Sequence, residues 1–429
     1  MTDKVKISII IPTRSRAAYL KGCLQSVLIA AKAAECPVEI IVADNASSDD
    51  TQSVVAGFNS PLITCFRQPE RVSMRQNFED GLTHSTGSHV MFIGDDDGIL
   101  PNGLRLLYAL IAAHDPDVVK WRKLNFKWPN DAEQIPGHLV IRYMKLSGKV
   151  SQINHKALLA KFFQGTHRDY SDGAGIYHGC ISRRLVDKVK AASQGSYFWC
   201  SMPDVYTSVA NLLATDRDIL KIDRPISLAG ASPRSTGDSA VRMATKGDAG
   251  KDSDMKKYIR EAKNDPYRSH VPDECMSIQL HLLAALELAC KMQDVPFAIN
   301  HKSWEKVIAS ELSGFAPEMV TPCMEGAKRL LGDLELTTAA PEGQKNTPAS
   351  LAPQAQSDMA NAPQILNHRM SKTTISGGEH MADIVKAAQF VDDLVGNDDL
   401  QKAMHPPAAI RGILRIRKKL RQLGPSLLS

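Results

Sequence analysis

Three consecutive carboxylates, Asp95-Asp96-Asp97, have the most evident capacity for chemistry in this chain. They follow the apolar run Val90-Met91-Phe92-Ile93 and precede Gly98-Ile99-Leu100-Pro101. Adjacent carboxylates repel one another and raise each other's pKa unless a cation lies between them. Hard oxygens in pairs suit Mg²⁺ or Mn²⁺, held by one or two carboxylates together with substrate phosphates. The competing reading is a solvated acidic turn capping the helix that Pro101 opens, because Asp is favoured there anyway. A fourth carboxylate, Asp204, follows Pro203, which can open a helix bearing Val205, Val209, Leu212 and Leu213.

The elements that must position these groups follow a repeated grammar. Ile7-Ser8-Ile9-Ile10-Ile11, ended by Pro12, has the look of a buried parallel strand. Thr13-Arg14-Ser15-Arg16 follows, and Tyr19, Leu20, Cys23, Leu24, Val27 and Leu28 then recur at helical spacing. Val38 to Ala43 is a second strand with the exit loop Asp44 to Thr51, and Leu62 to Phe66 is a third. Ser73 can cap a helix carrying Met74, Phe78 and Leu82, which leads into the strand ending at the triplet. Strands alternating with helices predict an α/β fold with a mostly parallel, Rossmann-like sheet and right-handed crossovers. Open sheets of this kind bind ligands at the carboxyl ends of their strands. Arg14, Asp44 and the triplet should therefore meet at one edge.

Ile9-Ile10-Ile11-Pro12-Thr13 with Arg16, Val42 to Asp49, and Gly94-Asp95-Asp96-Asp97 with Leu100-Pro101 resemble family 2 glycosyltransferases of the GT-A fold. The resemblance is specific over about residues 5–125 and fades by about 235. It implies that Asp44 contacts a nucleotide base and that Asp95, Asp96 and Asp97 serve ribose and a divalent metal, with Asp96 and Asp97 as metal ligands. Asn77 matches an asparagine often found on the helix before the triplet, and Thr13 and Arg14 complete the nucleotide side. Asn45 stands where a second aspartate is commoner. An aspartate at the start of a comparable helix is the family's general base, which falls on Asp204. Its other reading is a complement to the helix dipole, worth ~0.3–1 kcal/mol.

The implied reaction is transfer of a sugar from a nucleotide sugar, a UDP-sugar, to a glycan or lipid-linked hydroxyl with inversion. Metal bridging the diphosphate stabilises charge as it develops on the leaving oxygens. A carboxylate base must reach the acceptor proton. The aromatic run Tyr197-Phe198-Trp199 upstream of Asp204 could flank a sugar ring, and Asp172 is the next carboxylate to consider as base. His178, in the glycine loop Asp172 to Arg184, reads as a structural hydrogen-bonder. Arg234, in the polar loop Ser232 to Gly237, reads equally as a lid arginine or a solvated surface residue. Absence of a Walker lysine motif or a Gly-x-Gly-x-x-Gly fingerprint counts against a P-loop kinase and a dinucleotide-dependent dehydrogenase. A sugar-phosphate nucleotidyltransferase would want glycines in the loop after the first strand, where there are none. A non-catalytic nucleotide-sugar-binding protein is the remaining alternative.

Composition sets the outer limits. The 429 residues are 43% hydrophobic and 23% charged, enough for two ordinary cores. A net charge of +5 is too weak to argue for nucleic acid. Eight scattered cysteines without Cys-x-x-Cys, and no signal peptide, predict free thiols in a cytoplasmic protein. Four regions are expected: a catalytic domain over 1–237, a helical domain over 238–334, a flexible linker over 335–375, and a helical tail over 376–429. Within the tail, residues 408–423 hold six Lys and Arg and no acidic residue among apolar neighbours. A basic amphipathic helix of this kind predicts peripheral contact with the inner membrane face, or with a protein partner.

Overall fold

A computed structural model describes residues 5–142, 146, 148–247, 254–332, 364–369, 372–377 and 379–396. The first half runs β1 (Ile7–Thr13), α1 (Ala17–Ala33), β2 (Val38–Asp44), α2 (Thr51–Gly57), β3 (Ile63–Arg67), α3 (Met74–Thr83), β4 (His89–Phe92), β5 (Gly98–Ile99) and α4 (Gly103–His114). Then come β6 (Val118–Trp121), β7 (Leu124–Lys127), β8 (His138–Arg142), β9 (Val150–Ile153), α5 (His155–Phe163), β10 (Gly179–Ser182), α6 (Arg183–Ala192), α7 (Pro203–Ala214), β11 (Ile219–Ile222) and β12 (Ser227–Ala231). The remainder is α8 (Thr236–Lys246), α9 (Asp254–Ala262), α10 (Ile278–Met292), α11 (His301–Leu312), α12 (Pro317–Leu331), β13 (Gln364–Arg369), β14 (Lys372–Ser376) and α13 (Ile384–Gly396).

The main sheet has the order β3-β2-β1-β4-β10-β6-β11-β9. Its first four strands are parallel, as the alternation of strands and helices predicts. Strands β1 and β4 are central and buried on both faces, which explains their unbroken runs of Ile, Val and Met. Edge strand β3 is half exposed. Antiparallel β10 interrupts the series between β4 and β6. The mixed α/β architecture expected from the sequence is present.

A second sheet, β13-β14-β8-β7-β12-β5, decides how the site is closed. Strand β5, just past the triplet, pairs with β12 through Ser227↔Ile99 and Leu228↔Gly98. This pairing carries residues 229–232 back over the triplet. Ile384, Ala388 and Val391 of α13 cover this sheet, packing with Phe126, Leu139 and Leu228.

Residues 364–369 and 372–376 correct the linker expected over 335–375. They form a hairpin whose β14 pairs with β8 from Lys372↔Arg142 to Ser376↔His138. The alternating, β-branched Thr373-Thr374-Ile375 favours an extended chain, and the edge of β8 offers unpaired backbone groups to receive it. The rest of that range, and the basic segment 408–423, lie outside the described residues.

Helix α10 packs on α7, so Leu280, Leu283 and Leu286 share one core with Val205, Val209 and Phe198. All eight cysteines are free thiols. Among the described residues, no helix is long and apolar enough to cross a membrane.

Candidate active site

The triplet is not a helix cap. Asn102 holds the N-cap position of α4, and the three carboxylates turn into a cavity of about 610 Å³ above the carboxyl ends of β1 and β4. Each has its own surroundings. Asp95 accepts a hydrogen bond from Thr13 Oγ1 at 2.7 Å and lies 2.9 Å from Arg16 Nη1. Asp96 Oδ2 receives Arg16 Nη2 at 2.6 Å, Ser232 Oγ at 2.8 Å and Ser232 N–H at 3.2 Å. Asp97 Oδ2 receives Gly94 N–H at 2.6 Å and Tyr177 O–H at 2.7 Å, with His178 Nε2 at 3.0 Å. Its other oxygen receives Gly230 N–H at 2.7 Å.

Electrostatics separate the three further. Burial, then the neighbouring Asp97 and Asp95, push the Asp96 carboxyl up to about 7 against the pull of Arg16. Burial also raises Asp95, although Arg16 and the Thr13 hydroxyl oppose it. Burial would raise Asp97 too, but His178, Tyr177 and the Gly94 amide outweigh it and hold this carboxyl below its ordinary value. For Arg16, burial works against the charge, yet Asp95 and Asp96 win and lift its pKa. Gly230 is needed because a Cβ there would meet the Asp96 carbonyl oxygen at 1.7 Å.

The opposite wall carries Asp204. Pro203 opens α7 as expected, and Asp204 sits in its first turn facing the same cavity. Burial raises its carboxyl above the ordinary value, while the Val205 amide, Lys123 and the Tyr170 hydroxyl pull the other way. A carboxylate so placed can take a proton from a neutral hydroxyl.

The other expected residues divide. Thr13, Arg14 and Asn77 line the cavity. Asn77 donates to Ala43 O at 2.9 Å, and its Oδ1 is buried with no partner among the described residues. Arg14 forms an ion pair with Glu261 of α9, and Arg234 lines the cavity while donating to Ser15 O at 2.6 Å. Asp44 is the exception. It is fully buried and turned toward its own loop, where Ser47 N–H and Gln52 Nε2 each donate at 2.9 Å, and its neighbour Asn45 lines the cavity instead. Asp172 also stands apart, with Arg122 at 3.8 Å and His167 at 3.6 Å. His178 is structural, its Nδ1 2.8 Å from Ser227 Oγ. The sequence reading missed Ser232 and Gly230 as holders of the triplet, and Tyr177, Tyr170 and Lys123 as wall residues. The β5–β12 pairing brings Gly230 and Ser232 there, and the bridge between Phe92 and Tyr177 brings Tyr177.

Residues 8–179 match the family model described as Glycosyl transferase family 2. Over that segment the chain is similar to this family. Similar proteins include the GalNAc(5)-diNAcBac-PP-undecaprenol beta-1,3-glucosyltransferase of Campylobacter jejuni, 34% identical over 105 residues, or 24% of this chain and 33% of the relative. A PGL/p-HBAD biosynthesis glycosyltransferase of Mycobacterium bovis is 30% identical over 131 residues, 28% of this chain and 49% of the relative. The chain thus spans a third to a half of the length of these relatives. Among solved structures, S. aureus TarS 1-349 in complex with UDP-GlcNAc aligns with 76% of this chain and 89% of its own, at 12% identity and a TM-score of 0.42.

Similarity to family 2 implies a divalent metal, and the donor set can be tested against one. Among the described residues, no three His, Cys, Asp or Glu side chains converge as a ready-made ligand set. A cation held by one or two carboxylates and a diphosphate needs no such set. Among the described residues, Asp95 Oδ1 has only the Arg16 guanidinium beside it, at 2.9 Å, and burial raises the Asp96 carboxyl despite its ion pair with Arg16. These two fit a divalent cation. Asp97, expected as a ligand, has its Oδ2 engaged by Gly94 N–H and Tyr177 O–H and its Oδ1 by Gly230 N–H alone among the described residues.

Proposed function

We propose that this chain is an inverting, metal-dependent glycosyltransferase that moves a sugar from a nucleotide sugar to an acceptor hydroxyl. The supporting observation is that Asp204, with its raised pKa, faces the same cavity as the Asp95–Asp96 pair. The nucleotide side comprises Thr13, Arg14, Asn77, Asp95 and Asp96, and a UDP-sugar is the proposed donor. When bound through Asp95 and Asp96, Mn²⁺ or Mg²⁺ supplies positive charge to the diphosphate.

The remaining roles fall to the chain's own groups. Asp204 accepts the acceptor's hydroxyl proton, and the freed oxygen attacks the anomeric carbon. The bond from that carbon to the diphosphate oxygen breaks, and the electron pair leaves with the nucleoside diphosphate. Arg16 and Ser232 hold the Asp96 carboxylate in place. A lipid-linked or glycan acceptor in glycoconjugate assembly accords with the names of the undecaprenol-linked glucosyltransferase and the PGL/p-HBAD biosynthesis glycosyltransferase.

Asp204→Asn keeps the shape and removes the basicity. Turnover, read as nucleoside diphosphate released across a donor panel, should fall on the order of 10²–10⁴-fold with donor affinity nearly unchanged. Retention of more than about a tenth of wild-type turnover would move the base elsewhere.

A further inference from the structure

The cavity extends well past the triplet and Asp204, and its far end has a different character. Met255 and Tyr258, one helical turn apart on α9, face it together with Met276, which precedes α10. Phe315, in the turn between α11 and α12, completes that end, and Ala316 N–H fixes the turn by donating to Ala244 O of α8 at 2.8 Å. Met74 and Met202 carry the apolar surface back to Asp204. Met255, Tyr258 and Met276 also belong to a small buried core, against which Met74 and Phe315 pack only partly buried. The core is therefore open on its cavity side.

Charge at this end is sparse and acidic. Among the described residues between α8 and α12, the charged ones on the wall are Glu261 and Glu311, while Arg14, Arg16, Lys123 and Arg234 line the polar side of the cavity. Glu261 is paired with Arg14, and Glu311 accepts from the Ile278 and Gln279 amides at 3.1 and 3.3 Å. A glycan acceptor would need hydrogen-bonding groups in number and a stacking platform. An anionic acceptor would need cations. Methionines instead offer an adaptable apolar surface.

Taking the proposed transferase reading as its basis, we infer that the acceptor is an uncharged molecule whose hydroxyl is borne next to an apolar body, and that this body lies in the chamber formed by Met74, Met202, Met255, Tyr258, Met276 and Phe315. The hydroxyl then meets Asp204 at the point where the apolar wall meets the polar one. The chamber narrows the acceptor class and excludes an extended polar glycan from the position next to the base.

Calorimetry with n-octyl β-D-glucoside below its micellar concentration, against methyl β-D-glucoside, separates an apolar body from a sugar head. The octyl compound should bind at least tenfold more tightly. Phe315→Ser and Met276→Ser should bring the ratio toward one while leaving the affinity for UDP with Mn²⁺ within about twofold. Val241→Lys serves as a second variant, because Val241 lines the cavity yet is 59% exposed, so the helix tolerates the change. It should lower octyl glucoside affinity at least threefold. Equal binding of the two glucosides to the wild type, or undiminished octyl binding in all three variants, would overturn the inference. Failure of UDP to bind the wild type would remove the donor reading instead, and the ratio of the two glucosides would still decide the chamber.

Discussion

On the wall carried by β1, β4 and β12, each of the three carboxylates is met by donors from another loop. On the wall carried by α7 to α12, Asp204 faces the cavity from the first turn of α7 among methionines and rings, with Glu261 and Glu311 farther along and already engaged by the protein's own groups. Left-handed backbone occurs on both sides, at Cys200 (φ 56°) just ahead of α7 and at three residues of the polar wall. Ser15 (φ 50°), Ala46 (φ 47°) and His178 (φ 48°) adopt left-handed backbone in its loops, at a cost of about 1–3 kcal/mol each. Cross-loop bonds hold that strain, such as Ser15 N–H to Ser47 Oγ at 2.8 Å. Fixed dipoles suit a phosphate whose charge changes during reaction, because no reorganisation is then needed. A soft apolar wall suits a ligand recognised by its bulk.

The largest effect that tests this contrast lies within the polar wall itself. If Asp97 is a scaffold and Asp95 a ligand to substrate or metal, their alanine variants should fail differently. Asp97→Ala strands Tyr177, His178 and two backbone amides, and should cost on the order of 3 kcal/mol in thermal or denaturant unfolding. Asp95→Ala should unfold closer to wild type but lose several-fold or more of its Mn²⁺-dependent UDP affinity in calorimetry. A stable Asp97→Ala protein with lost metal dependence would reverse the assignment of the two residues.

How much of this was legible beforehand follows from where the information resides. The strands β1, β2 and β4, the cap Ser73, and the helix opened by Pro203 are local patterns of a few residues, and all are present. The differing fates of Asp95, Asp96 and Asp97 were not legible. They depend on Gly230 and Ser232, more than 130 residues away, which arrive only through the pairing of β12 with β5. The family resemblance puts Asp44 against a nucleotide base, and the turn at Ala46 that closes the loop onto its carboxylate was not visible in that resemblance. The hairpin of β13 and β14 was hidden by the composition of its surroundings. Its stability comes from the edge of β8, a partner that no local window contains.

A smaller effect concerns the cost of keeping a base among apolar groups. Burial raises the Asp204 carboxyl, so the folded chain holds this proton more tightly than the unfolded chain does. In acid, below the ordinary carboxylate range, both states are protonated and the residue is neutral for stability. As pH rises from there through the raised folded value, stability is lost. Asp204→Asn should therefore melt higher than wild type at neutral pH, by roughly a degree or two, and the gain should vanish in acid. Activity runs the other way, since kcat/KM should rise with pH as the base ionises. A variant that melts lower than wild type at neutral pH would mean that the Asp204 charge is well compensated, and the contrast between the walls would weaken.

The smallest effect concerns the ion pair that joins the two walls. Arg14, in the loop after β1, lines the cavity while paired with Glu261 of α9. The pair is partly exposed, so breaking it should change unfolding stability by less than about 1 kcal/mol. Its effect on ligand should be more telling. If Arg14 serves the nucleotide, it must exchange Glu261 for phosphate when the donor binds. Removing that competition with Glu261→Gln should tighten UDP by up to about fivefold, whereas Arg14→Ala should weaken it. Both differences should shrink between 50 and 300 mM salt as screening shortens the reach of the charges, roughly halving the Debye length. If Glu261→Gln instead weakens UDP as Arg14→Ala does, the pair is a clamp that sets the spacing of the walls, and the polar wall would depend on the apolar one for its shape.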